Sequence, residues 1–491
     1  MIARLFAMCA IFWGCGVLAA AWTPKPLGGG ACSSDLDCQL AGVCTTTNTC
    51  QCDAAWHGAH CEYLATLPAQ GAAYRQATAS SWGGRAFEDG EGTGEFHAFF
   101  SEFGGSCGMN EWSNNSHVVH ATARGTLDPG GRGYTRAGVA VPVFAHCVDT
   151  VKLANGTWIL FHNGDGQPRA CGFGSPNCDS MPLEWVADCR SADGTGNGTT
   201  PANRPVTGHP APPPPKGFQP HNGVHISHGG PDGPWVAPPA AALRGYPYCD
   251  CPAVHALTNG SVAVWCQPWQ WNFVPGQIGN TSQPLWINQG WGTPFVAKDV
   301  TIDVPRHLIE NARDTNNSLK LDDPSLWVDR RGHWHSVMHN GDGPVPCGDA
   351  GATGARFRDG NPYPVGCGAH LFSEDGIQWH LSDVAAFNAT VALTSGANVD
   401  LFRERPKVMI APAPGGAGHD AVALFTGAMR CGERPIQPGP PPNSYCTNST
   451  WPDDDGNHAG GVGINTFNGL DYSFTTINPL ARELRATAPF A

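Results

Sequence analysis

The sequence predicts an all-β protein: a five-bladed β-propeller preceded by a small disulfide-rich module. Beyond residue 74 almost no sustained helical periodicity is present, and only Arg306–Arg313 is predicted as a short helix. Strand-like runs recur roughly every 60 to 100 residues after turn-forming Gly or Asp, and similar segments precede and follow each run. A large β-sandwich is the alternative, but it does not explain this recurrent order. The five runs are 96–100, 157–161, 261–265, 334–338 and 421–425.

The composition fits a folded chain with many turns. Charged residues make up 14% of the 491 residues, against about 25% in an average domain, and there are 63 Gly and 43 Pro. Aromatic residues, at 9%, are sufficient to build cores. The net charge is −13 and no basic run is present, which excludes nucleic acid and anionic membranes as partners. A neutral partner such as a polysaccharide or glycan fits better.

The first 21 residues have the layout of a secretory signal. One charge, Arg4, precedes an apolar run at 5–18 and the small-residue string Ala19–Ala21. This run is shorter than the ~20 residues of a membrane helix, so we expect no membrane span after cleavage, with an uncleaved anchor as the alternative. The remaining 18 of the 20 cysteines form an even number suited to disulfides, and eight N-x-S/T sites predict a glycoprotein. The protein is therefore predicted to be secreted and extracellular.

Six cysteines lie close together after the signal, with the spacing C-x5-C-x5-C-x5-C-x-C-x8-C. Spacing alone leaves 15 connectivities open. The pattern resembles an EGF-like module over residues 28–63, and the resemblance implies the pairs Cys32–Cys44, Cys38–Cys50 and Cys52–Cys61. The preceding segment Gly28–Ala31 lacks acidic residues, so no calcium is expected. Such a module suggests an extracellular-matrix or cell-surface protein as a partner.

Residues 75–485 are predicted to form the propeller. Their segment order resembles the five-bladed propellers of arabinanase and β-xylosidase-type glycoside hydrolases, and more closely secreted propeller proteins of algae and related protists. The Pro-rich stretches 201–220 and 435–442 are predicted to be surface insertions. The best-matching pieces are Asp323–Trp327 with Gly332–His335, then Gly368–Gly376 and Arg403–Pro406.

Equivalent blades would bring the entrances of the innermost strands to one end of the central channel. His146, Asp250, Asp323 and Glu404 would then converge. Strand alternation places Cys249 and Cys251 on the face opposite to Asp250, so these cysteines are expected to point outward. Glycoside hydrolysis requires two carboxyl groups, one of them a proton donor. The resemblance implies Glu404 as the acid, with Asp323 and Asp250 as the other two catalytic residues.

Binding residues are proposed around these carboxylates. Trp82 is a candidate for stacking on a sugar, although packing is the usual role of such a ring. No zinc-type spacing is present, and no metal or cofactor is predicted. The first blade of the resembling hydrolases begins with an Asp that acts as the base. This chain has Ser81–Gly84 at that place, so a non-catalytic glycan-binding protein is the alternative function. In that case the three acids would cap turns or pair with Arg. Histidines that could bind sugar hydroxyls or a metal, with packing as the alternative, are His146, His162, His335, His339 and His370.

Overall fold

A computed structural model describes most of the module and the sheets of the body. The predicted signal sequence and both Pro-rich stretches lie outside the described residues. Those residues are 28–69, 71–76, 79–89, 94–104, 116–124, 133–164, 166, 223–247, 250–267, 285–315, 321–340, 367–413, 418–430 and 473–481.

The module consists of two small sheets held by disulfides. The three pairs implied by the EGF-like resemblance are confirmed: Cys32–Cys44, Cys38–Cys50 and Cys52–Cys61. A short 3-10 helix spans Asp35–Cys38. The strands are β1 (Gly28–Ala31), β2 (Gly42–Cys44), β3 (Thr49–Cys52), β4 (Trp56–His57) and β5 (Tyr63–Leu64).

The body contains five larger antiparallel sheets, A to E in chain order. Sheet A comprises β7 (Ser81–Glu88), β8 (Glu95–Phe103), β9 (Ser116–Arg124) and β10 (Thr135–Val141). Sheet B comprises β11 (Ala145–Lys152), β12 (Trp158–Gly164) and β13 (Val224–Ser227). Sheet C comprises β14 (Asp250–Ala256), β15 (Val262–Gln267), β16 (Leu285–Ile287) and β17 (Val296–Lys298). A second 3-10 helix, Ala240–Leu243, lies between sheets B and C.

Sheets D and E each gain strands from elsewhere in the chain. Sheet D comprises β19 (Leu321–Val328), β20 (Trp334–Asn340), β21 (Gly368–Ser373) and β22 (Gln378–Phe387), and β18 (Thr301–Asp303) joins β22 in parallel. Sheet E comprises β23 (Thr390–Ala392), β24 (Asn398–Pro412), β25 (His419–Arg430) and β26 (Ser473–Pro479). Strand β6 (Ala72–Tyr74) pairs with β26, so the body begins before the predicted boundary at residue 75. The helix α1 (Arg306–Thr315) confirms the predicted short helix.

The first long strand of each sheet lines a central channel. Strands β7, β11, β14, β19 and β24 lie against one another in that order, and β24 returns to β7 to close the ring. This arrangement is a β-propeller, and the predicted all-β class is confirmed. The five runs identified in the sequence form β8, β12, β15, β20 and β25. In every sheet this strand pairs with the channel strand on the side away from the channel.

Three buried charges cross the channel between its two mouths. The guanidinium of Arg85 donates to Asp149 and to the carbonyls of Val254, Leu326 and Val408. The Lys407 ammonium donates to Asp149 and to the carbonyls of Pro252 and Pro324, at 2.7 to 3.1 Å. This layer, which we call the channel plug, therefore connects all five channel strands.

The EGF-like module packs against sheets D and E. Trp56 is 3% exposed, and its ring lies 4.4 Å from that of His370. Arg331 donates to Asp53 at 2.6 Å and to the carbonyl of Leu40. Module residues such as Cys38 and Trp56 share one apolar core cluster with residues of sheets D and E. The module is therefore part of the packed body.

Replacing Trp56 by Phe is expected to weaken this contact. The smaller ring leaves a gap against His370, which should lower the free energy of unfolding by about 1–2 kcal/mol. Limited proteolysis within residues 65–71 should become faster, because the module detaches more often. Trp334→Phe, at a half-buried ring that packs against the core of sheet D, should reduce stability without this acceleration. Cleavage of Trp56→Phe at the wild-type rate would contradict the packing role.

Candidate functional site

A β-bulge interrupts each of the five channel strands at the same level. The register of every channel strand against its outer neighbour shifts there, between residues 81 and 84, 146 and 149, 250 and 253, 322 and 325, and 404 and 407. One residue in each bulge has a positive φ, a backbone angle that is rare for residues other than Gly. These residues are Gly83 (68°), Cys147 (51°), Cys251 (38°), Asp323 (51°) and Arg405 (51°). Backbone strain repeated at one mouth is typical of a functional site.

The bulges change the residue equivalence expected from the sequence. Asp322, and not Asp323, occupies the position of Asp250 and Glu404, immediately before the bulge. Asp323 is equivalent to Arg405 and to Cys251. For Asp250 only the backbone is described. Asp322 is thus a site residue that the sequence did not predict, since its neighbour Asp323 was expected at this position.

His339 of β20 lies between two carboxylates, those of Asp322 and Glu404. Its Nδ1 donates to Asp322 Oδ1 at 2.9 Å, and its Nε2 lies 3.9 Å from Glu404 Oε1. Burial disfavours the imidazolium, but Glu404 and the hydrogen bond to Asp322 outweigh this effect and raise the pKa of His339 to about 9. The ring is therefore cationic at neutral pH, between two carboxylates from different sheets.

Asp323 lies beside this group and is 6% exposed. Burial raises the pKa of Asp323 to about 7, Asp322 and Glu404 add to this effect, and Arg405 opposes it. Arg405 Nε is 3.6 Å from Asp323 Oδ1. Asp323 can therefore hold a proton close to neutral pH, which is the property required of a general acid.

His146 supports the opposite side of Arg405. Arg405 Nη1 donates to His146 Nε2, while His146 Nδ1 pairs with Ser116 Oγ at 2.6 Å. Burial, assisted by the charge of Arg405, holds the pKa of His146 well below its usual value. With 0% exposure and both ring nitrogens engaged, His146 positions Arg405 and does not have the free surface expected of a substrate-binding residue.

A narrow pocket, in which a water-sized sphere can reach about 10 Å³ of space, lies between these strands. The disulfide Cys147–Cys251 joins neighbouring channel strands and lines this pocket, so the expectation that Cys251 points outward is wrong. The bulge explains the difference, because it breaks the alternation on which that expectation rested. Trp82 also lines the pocket but is 1% exposed, which leaves little ring surface for stacking on a sugar. The other lining residues are Gly83, Gly84, Val148, Asp323, Arg405 and Lys407.

His335 and His370 lie elsewhere, beneath the EGF-like module. Their rings stack 5.3 Å apart with a 3.0 Å contact between His335 Nδ1 and His370 Nε2. His370 Nδ1 also pairs with Gln39 of the module at 3.2 Å. They are 1% and 0% exposed, so they pack the module contact, and the substrate-binding role expected from the sequence is not supported by their position.

One group at the site could hold a metal ion. Asp322, Asp323 and His339 present ligand atoms within 4.8 Å of one another. The high pKa of His339 means that a proton competes with a metal for this ring at neutral pH. That the protein uses no metal therefore stays a prediction.

The mouth that carries the site is also where the chain leaves the sheets. Each second strand ends beside the start of its channel strand, as in the pairs Gly164 with Ala145 and Asn340 with Leu321. The stretches that follow these ends contain both Pro-rich segments and lie outside the described residues. Within the described part of the chain, no helix is long and apolar enough to cross a membrane.

One segment of the chain matches a known domain family by sequence. A model of the EGF-like domain matches residues 32–61. No curated protein sequence matches the chain. Among solved structures, the chain is similar to a family 117 glycoside hydrolase produced by the marine bacterium Zobellia galactanivorans, with 12% identity over 87% of this chain and 92% of that chain and a TM-score of 0.40.

The chain is also similar to two further solved structures. One is an N-acetylgalactosamine deacetylase from F. plautii, with 9% identity, 85% of this chain and 94% of that chain covered, and a TM-score of 0.41. The other is a thermostable family-43 glycoside hydrolase, with 7% identity, 85% and 93% covered, and a TM-score of 0.37. The chain thus joins an EGF-like domain to a β-propeller, and no residue role is transferred from these proteins.

Proposed function

We propose that this protein is secreted and hydrolyses a glycan by carboxylate acid–base catalysis. One observation supports this proposal most directly. At one mouth of the channel, His339 is surrounded by three carboxyl groups from two neighbouring sheets, those of Asp322, Asp323 and Glu404. Hydrolysis of a glycosidic bond requires one protonated and one ionised carboxyl close together. The disulfides and the EGF-like domain are consistent with an extracellular location.

The local charges favour a division of roles that differs from the one implied by the sequence resemblance. Asp323, with its pKa of about 7, is proposed as the proton donor. Glu404 is proposed as the ionised partner, because its side chain is 21% exposed and faces the cationic ring of His339. Asp322 then orients His339, and Arg405 orients Asp323.

A second function is favoured by the residues at the corresponding position of sheets A and B. Ser81 and His146 stand there, where a third carboxylate would complete the set. The Cys147–Cys251 disulfide also narrows the pocket. A glycan-binding protein without catalysis, with the EGF-like module contacting an extracellular-matrix or cell-surface protein, would fit these features.

Reducing-end release from a panel of plant and algal polysaccharides tests the proposal. The purified wild type is expected to release reducing ends from at least one neutral member, and the double variant Asp323→Asn/Glu404→Gln is expected to release none. Parallel assays with EDTA and with added calcium show whether the Asp322–Asp323–His339 group uses a metal. Retained binding to a polysaccharide without release by the wild type would overturn the hydrolase and support the binding protein.

A further inference from the structure

A second cavity, here called the far pocket, opens at the opposite mouth of the channel. A water-sized sphere can reach about 280 Å³ of space inside it, and the pocket is partly open to solvent. The channel plug separates it from the candidate site, since Arg85 lines the far pocket while Lys407 lines the other one. The far pocket is therefore independent of the proposed catalytic carboxylates.

Two buried polar atoms in its wall have no hydrogen-bond partner among the described residues. Thr150 is 0% exposed, and its Oγ1 is unpaired. His255 is 2% exposed, and its ring packs edge to face against that of His419 at 5.1 Å. His419 is hydrogen-bonded to the backbone of Val328, and its Nδ1 atom is the second buried atom without a partner. Buried polar groups without partners are costly, so two such atoms and the imidazole of His255 around one cavity indicate a bound polar ligand.

The chemistry of these groups narrows the class of ligand. Burial, together with the charge of Arg85, lowers the pKa of both His255 and His419, so both rings are uncharged at neutral pH. An uncharged imidazole offers one donor and one acceptor, and the Thr150 hydroxyl offers both. Such a wall matches hydroxyl groups, which also donate and accept.

Charged ligands fit this wall less well. Arg85 lies beside both imidazoles and repels a metal ion that they would otherwise bind. An oxyanion accepts hydrogen bonds only, and Glu88 in the same wall repels it. Lys152 at the rim is already paired with Asp89 at 2.6 Å.

We propose that the far pocket binds a neutral sugar residue through Thr150, His255 and His419. Phe87 and the two imidazole rings add apolar surface, which suits the faces of a pyranose or furanose ring. The cavity is large enough for a monosaccharide unit at the end of a chain. A Thr at position 150, where Val would fill the same space without an unpaired hydroxyl, is consistent with a binding role.

Binding of neutral monosaccharides by the full chain, followed by calorimetry and saturation-transfer NMR, tests this proposal. The probes are glucose, galactose, xylose and arabinose. Thr150→Val and His255→Phe are expected to raise the Kd of the bound sugar by about tenfold or more, because each removes a hydrogen-bonding group. Thr135→Val, on the exposed part of β10, is the matched control and should bind normally.

The stability of the variants separates a binding effect from a folding effect. Thr150→Val removes an unpaired buried hydroxyl, so its melting temperature without sugar should equal or exceed that of the wild type. Binding should survive in Asp323→Asn/Glu404→Gln, so the far pocket can be confirmed even if the hydrolase proposal fails. Equal affinity of wild type, Thr150→Val and His255→Phe, no sugar binding at all, or binding of sulfate or zinc alone would each overturn the proposal.

Discussion

Replacing Asp149 by Asn is expected to destabilise the protein by about 3–5 kcal/mol, because it leaves two cations buried together. Asp149 is 0% exposed and is the carboxylate that joins Arg85 to Lys407. It also accepts from the backbone amide of Val254 at 3.0 Å, so the substitution weakens the link between sheets B and C as well. Most surface substitutions, by contrast, change stability by less than about 0.5 kcal/mol.

Chemical denaturation of the variant and its controls measures this effect. Asp303→Asn, at a carboxylate 70% exposed, is the matched control and should be neutral. The double variant Asp149→Asn/Lys407→Met removes one cation as well and should recover part of the loss. Burial lowers the pKa of Lys407 relative to the unfolded chain, so the deficit of Asp149→Asn should shrink as the pH rises. A loss equal to that of Asp303→Asn would contradict the role of the channel plug.

The fold could be predicted because its signals are local. The run at 96–100 lies within β8 and the run at 334–338 within β20, each a short apolar segment next to a turn. The order of such segments repeats in each sheet, so the sequence contains the propeller as a repeated pattern. The cysteine spacing of the module was informative for the same reason, since all three disulfides close short loops.

The site could be predicted only in outline, because its geometry depends on β-bulges and on contacts between residues that are far apart in the sequence. Alternation along a regular strand cannot show that Asp322 replaces Asp323, since the bulge adds a residue that no composition signal marks. The recurrence of Pro after Asp323 and Arg405 is the one available hint. The Cys147–Cys251 disulfide joins residues 104 apart, a pairing that spacing alone does not reveal.

The histidines show a second limit of sequence reasoning. His335 and His370 have the same local pattern as candidates at the channel, yet they contact Gln39 and Trp56 of the module. Contact between two domains depends on their three-dimensional arrangement, so the sequence of either one does not predict it. His339, four residues beyond His335, lies at the candidate site instead.

Asp323→Asn is expected to slow hydrolysis of the natural glycosidic bond by about 10²–10⁴-fold, the usual contribution of a general acid. Its proton is needed by the leaving sugar oxygen, so wild-type activity should fall as the pH rises through about 7, where Asp323 loses that proton. A dinitrophenyl glycoside of the same sugar has a leaving group that needs little protonation. On this activated substrate the loss caused by Asp323→Asn should be much smaller.

Glu404→Gln distinguishes the two carboxyl roles. As the ionised partner, Glu404 must act whatever the leaving group, so its removal should reduce the rate on both the polysaccharide and the dinitrophenyl glycoside. Unchanged melting temperatures would show that neither variant acts through unfolding. The opposite pattern, with Glu404→Gln spared on the activated substrate and Asp323→Asn impaired on both, would return the acid role to Glu404. It would then identify the neutral form of Asp323 as a consequence of burial beside Asp322, without a part in proton transfer.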